Sequence, residues 1–286
     1  MLSCLDVWDG IVVMSSILDR ALNIVEILAN SPGGLQLYVI AERLDIPRSA
    51  AHRLLGELAR LGYVEQDEIT TLYQLTLKVA SLGQTYLSLN GILDIAQPVL
   101  ERLAEKAGEL VRLGIVNDHR LTWIAKAQGA RSGFRYDPDA GMDAHLASTS
   151  SGHAWLATLS DEEALRLVSR QGFGDSAKLG PNAAMTVQAL LKCLALTRQD
   201  GYALNLESSA PGLSAIAIAI QKPGTTRTIG ALSIAGPATR LPEAQLRALA
   251  PVLRAAAAEL SAASLGSSYF GGVRHLTRSE EGATSV

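Results

Sequence analysis

The stretch 16–75 constrains this chain most, because short amphipathic segments alternate there with breaks that leave few ways to pack them. Ser16-Ile17-Leu18-Asp19 opens it with a serine followed three residues later by a carboxylate, the pattern of a capping box. Leu18, Leu22, Val25 and Leu28 then recur at helical spacing until Pro32-Gly33-Gly34 ends the run. A second short helix reads Leu37 to Leu44, with Ile40, Ala41 and Leu44 inward, before Asp45-Ile46-Pro47 turns the chain. A third helix runs from Pro47 to Arg60, proline suiting the first helical position because its missing N–H has no partner there. Its inward set is Ala51, Leu54, Leu55, Leu58 and Leu61, and Gly62 stops it. Tyr63-Val64-Glu65-Gln66 and Leu72-Tyr73-Gln74-Leu75, joined by a polar loop from Asp67 to Thr71, read as a hairpin.

Three helices and a hairpin in this order describe a winged helix-turn-helix. Once the leucine face of the third helix is assigned, Arg48, Ser49, Ala50, His52, Arg53, Glu57 and Arg60 remain outside. The polar ones crowd the N-terminal half, the part of a recognition helix that meets base edges in the major groove. Arginine can bond two guanine acceptors at once, and serine and histidine can reach base or phosphate. The candidate DNA-binding set is Gln36, Tyr38, Arg48, Ser49, Ala50, His52 and Arg53.

Charge qualifies this reading. The chain carries a formal net charge of −3, so no global field draws it to nucleic acid. Residues 46–64 hold Arg48, Arg53 and Arg60 against Glu57 alone, so the segment is locally positive. A solvated outer face accounts for the same arginines. A winged helix that only dimerises, in a ligand-binding or interaction module, also accounts for the low charge.

Leu77 to Lys106 reads as mostly helical, interrupted by Gly83, Gly91 and Pro98. Beyond it, Leu110 to Val116 and Leu121 to Ala127 alternate like strands around the turn pair Asn117-Asp118. Helix signals follow at Ser151 to Leu159, Ser160 to Arg170 and Thr186 to Gln199, and strand signals at Tyr202 to Leu206, Leu213 to Gln221 and Thr228 to Ala235. A long helix from Pro242 to Leu265, with Pro251 expected to kink it, closes the pattern. Hairpin-joined strands with helices outside indicate an α+β domain around an antiparallel sheet. The expected organisation is an N-terminal extension (1–14), the winged helix-turn-helix (15–76), a linker helix (77–92), a second domain (93–266) and a flexible tail (267–286). The apolar run in residues 1–13 lacks the basic start of a secretory leader and is too short to span a bilayer, and synthesis is expected to start near Met14.

Other chemistries find little support. Cys4 and Cys193 are far apart, with no disulfide framework or zinc spacing, which fits a reducing cytoplasm. No GxSxG elbow, Walker loop or HExxH is present, and "GFGDSAKLG" lacks the GxGxxG dinucleotide spacing, so no enzyme activity and no cofactor are expected. His145 and His153 stand without cysteines or an acidic cluster, an arrangement that points to surface or pocket-lining groups rather than metal ligands.

The text "SSILDRALNIVEILANSPGGLQL", "AERLDIPRSAAHRLLGELARLGYV", "YQLTLKVASLG", "QPVLERLAEKAGE", "GYALNLESSAPGL" and "IGALSIAGPATRL" resembles the IclR family of bacterial transcription regulators across residues 15–266, with gaps between Gly129 and Asp143. The resemblance implies a winged-helix DNA-binding domain, a linker helix and a GAF-like effector domain. It further implies dimers or tetramers on a pseudo-palindromic operator, and no membrane partner. Tyr38-Val39 stands where the family often has Ser-Glu, and Ser49-Ala50-Ala51 where it often has Ser-Thr-Val. The implied effector-binding residues are Ser150, Ser151, Asn205, Leu213, Ala215 and Ser233, with Ala235 nearby. Independently, Ser148, Thr149, Ser150 and Ser151 crowd a helix start, where free N–H groups and the dipole favour an anion. Plain N-capping by one of these hydroxyls explains them equally. Asn205, Ala215 and Ala235 replace the polar residues of members that bind very small acids, so the expected effector is a larger carboxylate such as a hydroxybenzoate.

Overall fold

The computed structural model describes residues 16–89, 92–133, 135–138 and 141–266, and the N-terminal extension, Met14, Gly91 and the tail lie outside them. The chain forms two compact units, dividing between Tyr86 and Leu87.

The first unit holds α1 (Ile17–Ala29), α2 (Leu37–Arg43), α3 (Arg48–Arg60), β1 (Val64–Gln66) and β2 (Tyr73–Leu75), and α4 (Leu77–Leu89) begins in it. The capping box at Ser16 forms as expected: its hydroxyl accepts from Asp19 N–H and the Asp19 carboxylate accepts from Ser16 N–H. The apolar stripe of α1 agrees with the expected one at Leu28 and half-buried Val25 and departs from it at Leu18 and Leu22. Ile24 and Leu28 are buried, whereas Leu18 and Leu22 are 67% and 53% exposed. Apolar residues cover so much of this helix that its periodicity fits two stripes, and packing against α3 and β2 selects the one through Ile24. On α3, Ala51, Leu54, Leu55 and Leu58 are buried as expected, but Leu61 is 46% exposed because the helix has already ended there. Pro47 is the N-cap rather than the first helical residue. β1 and β2 pair antiparallel, Val64 opposite Leu75.

The second unit is built on a five-stranded antiparallel sheet in the order β4-β3-β7-β6-β5. Its strands are β3 (Leu110–Asn117), β4 (Arg120–Gln128), β5 (Ala203–Leu206), β6 (Leu213–Gln221) and β7 (Thr228–Pro237). Asp118, at a φ of 50°, makes the β3–β4 turn, a conformation that aspartate tolerates. One face, carrying Val111, Leu113, Ile216, Leu232 and Ile234, packs on α5 (Ile92–Ala107) and α9 (Glu243–Ala263). The other lies under α6 (Ser150–Leu156), with α7 (Asp161–Gln171) and α8 (Val187–Asp200). Because side chains alternate along a strand, the opposite residues Ala217, Ser233 and Arg112 share this second face, as do Asn205, Ala215 and Ala235. The register shift on β4, which pairs Leu113 with Ala125 but Gly114 with Trp123, brings Trp123 to the same face. Helix α6 is shorter than its sequence signal: Arg198 of α8 donates to the carbonyls of Ala157 and Leu159 and closes its end.

Candidate DNA-binding and effector sites

In the first unit, the turn between α2 and α3 is tied by Asp45 N–H to Glu42 and Ile46 N–H to Ala41, with Asp45 at a φ of 50°. This turn presents the N-terminal half of α3 outward. Arg48, Ser49, His52 and Arg53, one helical turn apart in pairs, share an exposed face, and Ala50 is half-buried beside them. Gln36 is the exposed N-cap of α2, with no side-chain cap hydrogen bond. Tyr38 is exposed too, and the Arg48 guanidinium lies 5.7 Å from its ring centroid, a cation–π contact that restricts where the arginine points. Among the described residues, Arg48 and Arg53 form no ion pair, whereas Arg60 is bound by Glu57 at 2.9 Å. The cations at the start of α3 therefore remain available to an outside anion.

The wing has the opposite character. Glu65, Asp67 and Glu68 stand on it without a cation. Asp67 closes its turn by accepting from the N–H groups of Thr70 (2.7 Å) and Ile69 (3.0 Å) and from the Thr70 hydroxyl (2.8 Å). These bonds, led by that from Thr70 N–H, hold the carboxyl below its ordinary range.

In the second unit, Ser150, Ser151, Asn205, Leu213, Ala215 and Ser233 are all buried. Asn205 reaches across to the start of α6, donating to the Ser148 carbonyl and accepting from Ser208 N–H at 2.8 Å. Ala215 lies opposite Asn205, Leu213 lies one step along the same strand face, and Ser233 lies one strand over. Thr149 provides the N-cap, its hydroxyl accepting from Gly152 N–H at 3.1 Å. One hydroxyl of the four thus has the plain capping role, and among the described residues no carbonyl accepts from the first-turn N–H groups of Ser150 and Ser151. Gly152 lets this segment fold on itself: a Cβ there would stand 2.4 Å from the Leu146 carbonyl oxygen.

His145 and His153 bond to neighbours in the same loop and helix, His145 Nδ1 to Ser148 Oγ and His153 Nε2 to the Ala147 carbonyl, each at 2.8 Å. Burial pushes both imidazoles below their usual value. Two groups escaped the sequence reading. Arg112 is buried on the α6 face of the sheet, its guanidinium 3.7 Å from the Trp123 ring centroid. The signal was a charged residue at an inward position of the apolar strand LVRLGIVN. The second is a cleft of about 370 Å³ beside β4, lined by Gln97, Glu101, Glu105, Lys126, Gln128 and Arg131, none of which belongs to the expected effector set.

Residues 84–262 match the family model described as bacterial transcriptional regulator IclR, C-terminal, and residues 17–68 match the IclR helix-turn-helix domain. The chain belongs to the IclR family. This IclR-family chain is 33% identical to the HTH-type transcriptional regulator BhcR of Paracoccus denitrificans over 247 residues, 85% of each protein. It is 30% identical to the HTH-type transcriptional repressor AllR of Salmonella typhimurium, over 86% of this chain and 89% of that one. An IclR homolog from Microbacterium hydrocarbonoxydans, solved in complex with 4-hydroxybenzoate, has the same fold, with a TM-score of 0.70 at 23% identity over 86% of this chain and 98% of its own. No helix among the described residues is long and apolar enough to cross a membrane.

Proposed function

We propose that this regulator is a repressor of a catabolic operon, with α3 reading a pseudo-palindromic operator and a small organic carboxylate as effector. The observation that carries the DNA reading is the exposed set Arg48, Ser49, His52 and Arg53, whose arginines have no ion pair among the described residues. Gln36, Tyr38 and Ala50 flank that set and complete the contact surface. The repressor sense follows the relative AllR.

The effector is an aromatic carboxylate held against the α6 face by Ser150, Ser151, Asn205, Leu213, Ala215 and Ser233. Two facts support this: first-turn N–H groups of α6 without an acceptor among the described residues, over the sheet face that carries buried Leu213 and Ala215, and the 4-hydroxybenzoate complex of a homolog with the same fold. Effector binding shifts the population between DNA-competent and released states, which requires unequal affinity for the two.

An electrophoretic shift with DNA from upstream of its own gene tests the reading. Wild type is expected to retard that fragment, and Arg48→Ala combined with Arg53→Ala to abolish the retardation while the circular dichroism spectrum is unchanged. A folded double variant that binds as wild type refutes the recognition role of α3 and leaves a winged helix that serves only to dimerise.

A further inference from the structure

Most strong charges in the second unit are answered. Arg240 is held by buried Glu109 through two hydrogen bonds, Arg247 by Glu243 and Asp200, and Lys126 by Asp137 at 2.8 Å and the Pro138 carbonyl at 3.0 Å. Arg112 differs. It is 6% exposed, no carboxylate among the described residues pairs with it, and its Nε has no hydrogen-bond partner. The ring beneath it belongs to Trp123, 7% exposed, whose Nε1 is likewise without a partner. The Cδ1 edge of that indole, next to Nε1, stands beside Gly114, two residues along β3 from Arg112. Two donors of high desolvation cost thus converge on one stretch of β3, on the sheet face that α6 covers.

Structural packing alone gives no reason for both to stay orphaned, since a buried donor is normally paired. The stack on Trp123 covers the flat face of the guanidinium and Tyr136 hydrogen-bonds to it, which leaves Nε as its unanswered donor. A charged Nε–H with an unanswered indole N–H nearby suits the oxygens of a carboxylate better than a neutral acceptor. Across the sheet from Arg112 stand the small side chains Ser233 and Ala217 on one side and, on β4, Lys126, which Asp137 and the Pro138 carbonyl already hold.

We propose that Arg112 and Trp123 bind the carboxylate of the effector, so that the acid end of the ligand lies over β3 and the first turn of α6 takes its other polar end. The proposal rests on the effector reading above and moves the charge anchor from the α6 N–H groups to a buried cation. Burial also works against the charged form of Arg112, so an incoming anion gains from restoring it.

The experiment uses the full chain. A thermal-shift panel of glyoxylate, pyruvate, benzoate and 4-hydroxybenzoate selects the acid that stabilises wild type most, and calorimetry then compares it with its neutral amide. Wild type is expected to prefer the acid by roughly 10-fold or more, the range of a charge-assisted hydrogen bond. Arg112→Gln is expected to bring that ratio close to one, and Trp123→Phe, which keeps the ring and removes the donor, to weaken the acid several-fold. If Arg112→Gln does not fold, Arg112→Lys keeps the charge without the fork and is expected to lose acid affinity with amide affinity unchanged. An acid-to-amide ratio that is the same in wild type and the Arg112 variant overturns this assignment and leaves the effector reading standing. If no acid in the panel stabilises wild type, the effector reading falls and this one falls with it.

Discussion

Arg48 and Arg53 differ from Arg60 in having no carboxylate within reach among the described residues, and that difference sets what each substitution does. Arg48→Ala is expected to weaken operator binding by about 1–3 kcal/mol and to relax base preference, the loss of one bidentate contact. Arg60→Ala, removing an exposed ion pair with Glu57, is expected to change it little. Titration of labelled operator and scrambled duplexes separates the two. Gly152→Ala places a methyl against the Leu146 carbonyl and is expected to lower stability by about 1–3 kcal/mol, read from chemical denaturation. His145 and His153 give a pH dependence of definite sign. Burial lowers both folded-state pKa values from the ordinary 6.5, so on acidification the unfolded chain takes up these protons first. Stability from this source is fully present above pH 6.5 and is lost as pH falls below it, by up to about 1.4 kcal/mol per pH unit per histidine. Denaturation midpoints at pH 7.5 and 5.5 should differ by less in His153→Gln than in wild type.

At the scale of elements, α3 and the wing pull in opposite electrostatic directions. The start of α3 is cationic, and the hairpin carries Glu65, Asp67 and Glu68. Each phosphate contact adds about 0.9 to the slope of log affinity against log salt concentration, so a wing without cations predicts a shallow slope per subunit. Glu65→Lys with Glu68→Lys is expected to steepen it and to raise affinity for non-operator DNA, a change visible in binding measured across a salt series. Asp67 is excluded from that test because its carboxylate closes the hairpin turn. Legibility at this scale depended on ambiguity of period. The α3 stripe Ala51, Leu54, Leu55 and Leu58 was readable because arginine, serine and histidine fill the other side. That of α1 holds at Val25 and Leu28 but fails in its first turns, because Leu18 and Leu22 fit the helical repeat as well as Ile24 does.

For the whole molecule, a net charge of −3 and few phosphate-facing cations mean that one copy has little to hold DNA with. Two copies on half-sites about 34–36 Å apart or a multiple would double the contacts. Operator binding is therefore expected to be cooperative in protein concentration and to weaken at dilutions where sedimentation shows monomers. The sequence by itself determined the order of the elements, the capping box at Ser16, the hairpins and the placement of arginines on the first turns of α3, because these depend on residues a few positions apart. Only the tertiary structure decided which stripe of α1 is buried, which hydroxyl of 148–151 caps α6, and that Arg112 and Trp123 stand buried with donors unanswered. Burial and hydrogen-bond satisfaction are set by neighbours far along the chain, as Ser233 is beside Arg112, and no local pattern encodes them.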